Sequence, residues 1–143
     1  MSTKIFIIGI AGGTGSGKTR AATNLLEKFS ENDVVLLEQD SYYKDLKHIS
    51  FDEREKNNFD HPNAIDFDLM YNDIKLLANN SKIIMPIYDY TKHIRKEETR
   101  IIENKKIIII EGIFALFDQR IRGLLNLKIY VDTPADIRII RRI

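Results

Sequence analysis

The chain has 143 residues, with 22 Lys or Arg against 21 Asp or Glu and a formal net charge of +1. That is enough for one domain with a real core and too little for two ordinary ones. So even a balance gives no sign of a polyanion such as nucleic acid as the main partner, and the absence of Cys excludes a disulfide framework, a thiolate metal site and a cysteine nucleophile.

The first apolar run, KIFIIGI, is Ile-rich and ends in a glycine loop rather than a cleavage site, so it reads as a strand buried on both faces and not as a signal peptide. The loop itself, GGTGSGKT at residues 12–19, fits the pattern G-x-x-x-x-G-K-[ST] through Gly12, Gly17, Lys18 and Thr19. Residues 17–29 then place Ala21, Ala22, Leu25, Leu26 and Phe29 at helical spacing. SENDVVLLEQD gives a polar turn and a second short strand ending near Asp40, which completes a βαβ unit.

Residues 41–64 are polar and irregular apart from their aromatics, and are expected to form a long functional loop with one helical turn. From Asp66, an N-cap candidate, Phe67, Met70, Ile74, Leu77 and Ala78 fall on one helical face. KIIMPIYDYTKHIRKEETRIIE reads as two extended arms around a polar turn, a hairpin over about residues 82–104 in which Pro86 suits an edge. KKIIIIEG is a further buried strand closed by Glu111. A short helix around residues 117–125 leads to the strand LKIYVD, after which Thr133 and Pro134 open another helix. No segment approaches the ~20 apolar residues of a membrane span.

In an open parallel sheet, ligands bind at the carboxyl ends of the strands, and the glycine loop, Asp40 and Glu111 are all such ends. Backbone N–H groups of Gly12, Gly13, Thr14, Gly15, Ser16 and Gly17 can approach phosphates, with Lys18 as a point charge and the Thr19 hydroxyl as a magnesium ligand. Taken alone, Glu111 is equally well a solvated strand end, Asp40 an ordinary turn residue, His93 a solvated histidine, and Phe59, Tyr88 and Tyr90 core or edge-strand aromatics. Arg138, Arg141 and Arg142 stand at i, i+3 and i+4, one face of a helix.

Three longer blocks discriminate further: QDSYY at residues 39–43, FDHPNAIDFD at 59–68 and PIYDYTKHIRKEE at 86–98. In these blocks, and through IIIIEGIFAL and YVDTPADIRIIRRI, the chain resembles the uridine–cytidine kinases. The resemblance implies an α/β P-loop NTPase fold of the nucleoside-kinase kind, a mainly parallel sheet flanked by helices, with a β-hairpin insertion for the acceptor. It implies phosphoryl transfer from ATP or GTP, with Mg2+, to the 5′-hydroxyl of uridine or cytidine, in a cytoplasmic homotetramer with no nucleic-acid or membrane partner.

Carried over by position, Asp40 would act as general base or hydroxyl-orienting group, with Lys18 and Arg141 as the other catalytic residues. Thr19, Asp40 and Glu111 surround the metal, and Tyr43, Phe59, Asp60, Tyr88, Tyr90, His93 and Arg138 contact the nucleoside. The sequence departs from the family in two places. Tyr90 stands where Phe is usual, adding a hydroxyl that needs a partner. The chain also stops at RIIRRI, where the family continues into a lid and a last strand, so a C-terminally incomplete domain is expected. Rival readings are another small-molecule kinase of phosphoribulokinase or pantothenate kinase type, and a nucleotide-binding module without turnover.

Overall fold

The computed structural model describes residues 4–13, 17–59, 61–103 and 105–131. Its main sheet is four parallel strands in the order β2-β5-β1-β6: β1 (Phe6–Ala11), β2 (Val34–Glu38), β5 (Ile107–Glu111) and β6 (Leu127–Tyr130). Parallel strands need long crossovers, and those crossovers carry helix α1 (Lys18–Leu26), α2 (Phe51–Glu55), α3 (Phe67–Ala78) and α4 (Gln119–Arg122). A separate antiparallel pair, β3 (Ile83–Asp89) and β4 (Ile94–Ile102), forms the hairpin.

The isoleucine runs work because a strand's side chains alternate between two faces. Ile8, Ile10, Val34 and Ile109 pack with Ala22, Leu25 and Leu26 of α1 on one face. On the other, Ile7, Val35, Leu37, Ile108 and Ile110 meet Met70, Ile74 and Leu77 of α3 together with Ile83 and Met85 of the hairpin. A sheet covered on both sides is the reason its strands carry almost no polar residue before their ends.

Several boundaries differ from those the sequence suggests. Helix α1 ends at Leu26, and Phe29 lies in the following turn, 36 % exposed, because the chain must return to start β2 at Val34. Strand β2 ends at Glu38, so Asp40 is not on a strand but in a 3-10 turn, Gln39–Tyr42. The expected irregular loop over residues 41–64 contains α2 and a second 3-10 turn, Pro62–Ala64, because Ser50 and His61 cap them by accepting from the backbone N–H groups of Glu53 and Asn63. Pro86 does sit where pairing breaks: the β3–β4 register shifts between Pro86 and Tyr88. Asp66 caps α3, accepting from Leu69 N–H at 3.1 Å. Asp118 caps α4 in the same manner, and the short helix covers only four residues. Among the described residues no helix is long and apolar enough to cross a membrane.

The 3-10 turn carrying Asp40 is tied to α3 by a buried polar pair. Tyr42, fully enclosed, donates its hydroxyl to Asp73 Oδ2 at 2.9 Å. Burial raises the Asp73 carboxyl above its ordinary value, against the lowering effect of the Tyr42 hydrogen bond. A carboxyl raised on folding stabilises most when protonated, so its contribution falls as pH climbs through the interval from the ordinary carboxylate value to the raised one. Asp73→Asn keeps an acceptor for Tyr42 without the charge. It is expected to melt at a higher temperature than the parent at pH 7, with the gain shrinking as pH approaches 4. Thermal melts at the two pH values check this, and a gain that grew on acidification would contradict it.

Candidate functional site

The parallel register brings the ends of three strands to one level: Ile10 is opposite Glu111, and Glu111 is opposite Glu38. Two residues beyond Ile10 the glycine loop begins, and two beyond Glu38 stands Asp40. Gly12 is buried and Gly13 half-buried, and Gly17 takes a left-handed φ of 95° immediately before α1. That conformation suits glycine, and α1, like any helix, begins with backbone N–H groups that have no intrahelical carbonyl to pair with. Gly17 offers no side chain to cap them, and the first turn of α1 has no acidic residue. A phosphate suits N-terminal N–H groups and the positive end of a helix.

Lys18 Nζ lies 3.2 Å from Glu111 Oε1, with the two side chains only 15 % and 10 % exposed. Asp40 is exposed on the neighbouring turn. The Tyr90 hydroxyl, on a half-exposed ring of the hairpin, is pushed up to about 12 by burial, then by the Asp40, Glu38 and Glu111 carboxylates, which places it near these strand ends. Among the described residues, no three His, Cys, Asp or Glu are grouped to hold a metal unaided. Magnesium keeps several waters and takes one or two carboxylates plus phosphate oxygens, so Asp40 and Glu111 are a donor set that fits it.

A continuous series of rings borders the same edge. Tyr90 meets Tyr88 with centroids 5.3 Å apart, Tyr88 meets Tyr43 at 5.2 Å, and Tyr43 meets Phe59 at 5.1 Å. Phe59 stacks on His93 at 4.9 Å, and His93 on Phe51 at 6.0 Å. The Tyr43 hydroxyl donates to the Phe59 carbonyl at 3.3 Å. Tyr88 is buried, its hydroxyl has no partner among the described residues, and burial pushes it up to about 12, with Asp45 adding to the shift. An unpaired buried hydroxyl beside a row of rings suits an aromatic ligand carrying polar groups.

Two arginines hold this wall together, and neither stood out as a site residue in the sequence. Arg95 of β4 donates to the Tyr43 carbonyl at 3.2 Å and pairs with Asp66 Oδ2 at 3.1 Å. Arg54 of α2 donates to the carbonyls of Leu46 and Ile49, each at 3.0 Å, and to that of Lys92 at 3.1 Å. Phe51 and Glu38 were also missed; only their neighbours in space reveal them. The structure brings together Gly12, Gly13, Gly17, Lys18, Asp40 and Glu111, and beside them Tyr43, Phe59, Tyr88, Tyr90 and His93. Thr14, Gly15, Ser16, Asp60, Arg138 and Arg141, together with the Thr19 side chain, lie outside the described residues.

A P-loop, a strand-end carboxylate paired with its lysine and a parallel sheet with helices on both faces define a P-loop kinase. A model of the phosphoribulokinase/uridine kinase family matches residues 7–143, and the chain belongs to that family. It is 52 % identical over its whole length to the uridine kinase of Clostridium tetani and 50 % identical to that of Anoxybacillus flavithermus, covering 68 % of each. In fold it is similar to the solved structure of a possible uridine kinase from Bacillus stearothermophilus, with TM-score 0.69 and 20 % identity over 99 % of this chain and 78 % of that one.

His93 adopts φ 57°, a left-handed conformation that costs a non-glycine residue roughly 1–2 kcal/mol. Glycine relieves that strain and removes the ring, so His93→Gly separates stability from ligand contact. The variant is expected to melt within a few degrees of the parent yet bind nucleoside at least tenfold more weakly, with ATP affinity unchanged. Calorimetric titration with each ligand checks this; equal losses for both would mean that the ring only supports the fold.

Proposed function

We propose that the chain transfers the γ-phosphoryl group of ATP to the 5′-hydroxyl of uridine and cytidine. The observation that carries this reading is the identity of about 50 % to uridine kinases across the entire chain, and the convergence of a phosphate loop, a carboxylate and a ring-lined wall at one sheet edge supports it.

In this reading the backbone of residues 12–17 and the Lys18 ammonium hold the donor phosphates. The Asp40 carboxylate orients the acceptor hydroxyl and takes its proton as the new O–P bond forms and the bond to the departing ADP oxygen breaks. Positioning and charge neutralisation account for most of the rate in such transfers, so one carboxylate beside the acceptor is sufficient chemistry for the protein to supply. Thr19, Asp40 and Glu111 would hold magnesium, which would supply positive charge against the phosphates. Tyr43, Phe59, Tyr88 and Tyr90 enclose the base and sugar, Asp60 takes hydrogen bonds from ribose hydroxyls, and His93 reads the base edge. Arg138 and Arg141 bring positive charge to the transferring group and the nucleoside. A homotetramer in the cytoplasm completes the reading.

The test is transfer of labelled γ-phosphate from Mg-ATP to uridine, with cytidine, pantothenate, ribulose 5-phosphate and no acceptor in parallel. Labelled UMP and CMP are expected. Asp40→Asn is expected to reduce their formation by roughly 10²–10⁴-fold while leaving ATP binding intact, whereas Lys18→Ala weakens ATP binding itself. Full transfer by Asp40→Asn would remove Asp40 from its role, and phosphate release independent of acceptor would favour a nucleotide-hydrolysing module.

A further inference from the structure

Of the buried polar residues Gln39, Asp73 and Glu111, Gln39 is the most deeply enclosed, at 1 % exposure. It is the first residue after β2 and the one immediately before Asp40. Glu38 is level with Glu111, and the residues that follow them, Gln39 and Gly112, meet just beyond the strand ends. Glu38 and Glu111, level with each other, share one face of the sheet, whereas the Gln39 side chain lies against Gly112.

The Gln39 side chain occupies the space that a side chain at position 112 would need. A Cβ on Gly112 would lie 2.5 Å from Gln39 Cβ, a separation that real atoms do not tolerate. In that space Gln39 Oε1 accepts the backbone N–H of Phe114 at 2.8 Å. Gly112 N–H in turn donates to the Ile10 carbonyl at 3.1 Å, in the strand that leads into the phosphate loop. A short chain of contacts therefore runs from Asp40 through Gln39 to the end of β5 and on to β1.

Stability alone does not account for a glutamine here. Its Oε1 is satisfied, but its Nε2 is buried with no partner among the described residues. An apolar side chain of similar length would fill the same volume and remove that donor, but at the expense of the bond to Phe114. What an apolar residue could not do is hold the Phe114 N–H.

We infer that Gln39 is a positioning residue for phosphoryl transfer: its amide oxygen, seated on the Phe114 N–H in the space left by Gly112, sets the place of Asp40 relative to the ends of β5 and β1. It touches no substrate and acts only through the backbone of the Asp40 turn. The inference rests on the role proposed for Asp40.

Gln39→Met and Gln39→Glu in the full chain test it, by amide exchange, backbone order parameters and kinetics. Gln39→Met exchanges one unpaired donor for another and is expected to melt within a few degrees of the parent. In it the Phe114 amide exchanges at least tenfold faster, the Asp40 amide becomes more mobile, and ATP affinity stays within twofold. With uridine as acceptor, kcat falls at least tenfold while KM for ATP is unchanged. Gln39→Glu, which keeps an oxygen facing Phe114 N–H, is expected to recover most of kcat.

An unchanged kcat in a folded Gln39→Met protein overturns the inference, as does a loss of kcat that merely follows the folded fraction. If the parent chain transfers no phosphate to uridine, the proposed function fails, and the order parameter of Asp40 then decides separately: an Asp40 as rigid in Gln39→Met as in the parent overturns the positioning role.

Discussion

Everything at the candidate site depends on the shared direction and register of β2, β5 and β1. Strands that run the same way end on the same edge, and level pairing of Ile10, Glu111 and Glu38 puts a phosphate loop and two carboxylates there together. A slip of one residue would send Ile108 and Ile110 to the face now filled by Ile109, so packing on both sides of the sheet enforces the alignment. The chemistry is thus positioned by residues that take no part in it. The Lys18–Glu111 pair illustrates the point. Two charges this poorly exposed gain little net stability from one another, since desolvation offsets most of their attraction. Their closeness follows from where the strands end.

Register alone does not place Asp40, which lies beyond the last residue of β2. A four-residue 3-10 turn has weak internal hydrogen bonding and needs outside support. Support comes from both flanks: Gln39 reaches the loop after β5, while Tyr42 reaches Asp73 on α3. The Tyr42 carbonyl also accepts from Asp66 N–H at 2.8 Å, and Tyr43 bridges to Ile65. The next segment is joined to the hairpin through Arg95 and Arg54. The turn, the ring-lined wall and the hairpin therefore form one connected unit braced against the sheet.

The features readable in the sequence were those written in a short stretch of chain. Ile runs closed by Gly, Asp or Glu gave the sheet; Asp66 before an apolar stripe at helical spacing gave a helix start; two apolar arms around YTKH gave the hairpin. Phe29 misled because helical spacing says nothing about where the chain must turn back. Gln39 and Phe114, 75 positions apart, meet only through the strand order β2-β5, which no local pattern contains. The ring series had the same difficulty. Tyr43, Phe59, Tyr88 and His93 have no common spacing, so their likeness to known blocks drew them together where periodicity could not.

The site is also where the chain breaks its own rules. The Tyr88 hydroxyl and Gln39 Nε2 are buried without partners among the described residues, and His93 holds a left-handed backbone. Unpaired buried groups cost about 1–3 kcal/mol each, and a left-handed non-glycine residue roughly 1–2. Against this, a fully buried isoleucine contributes about 1.5–3 kcal/mol, and Ile108, Ile109 and Ile110 are all fully enclosed in one strand. These figures are comparable, so the apolar strands can offset the strain without any special device. The division of labour follows from that comparison: a uniform isoleucine sheet supplies the stability, and the polar exceptions collect in the turn, the loop after β5 and the hairpin, where geometry rather than stability decides which residue is kept.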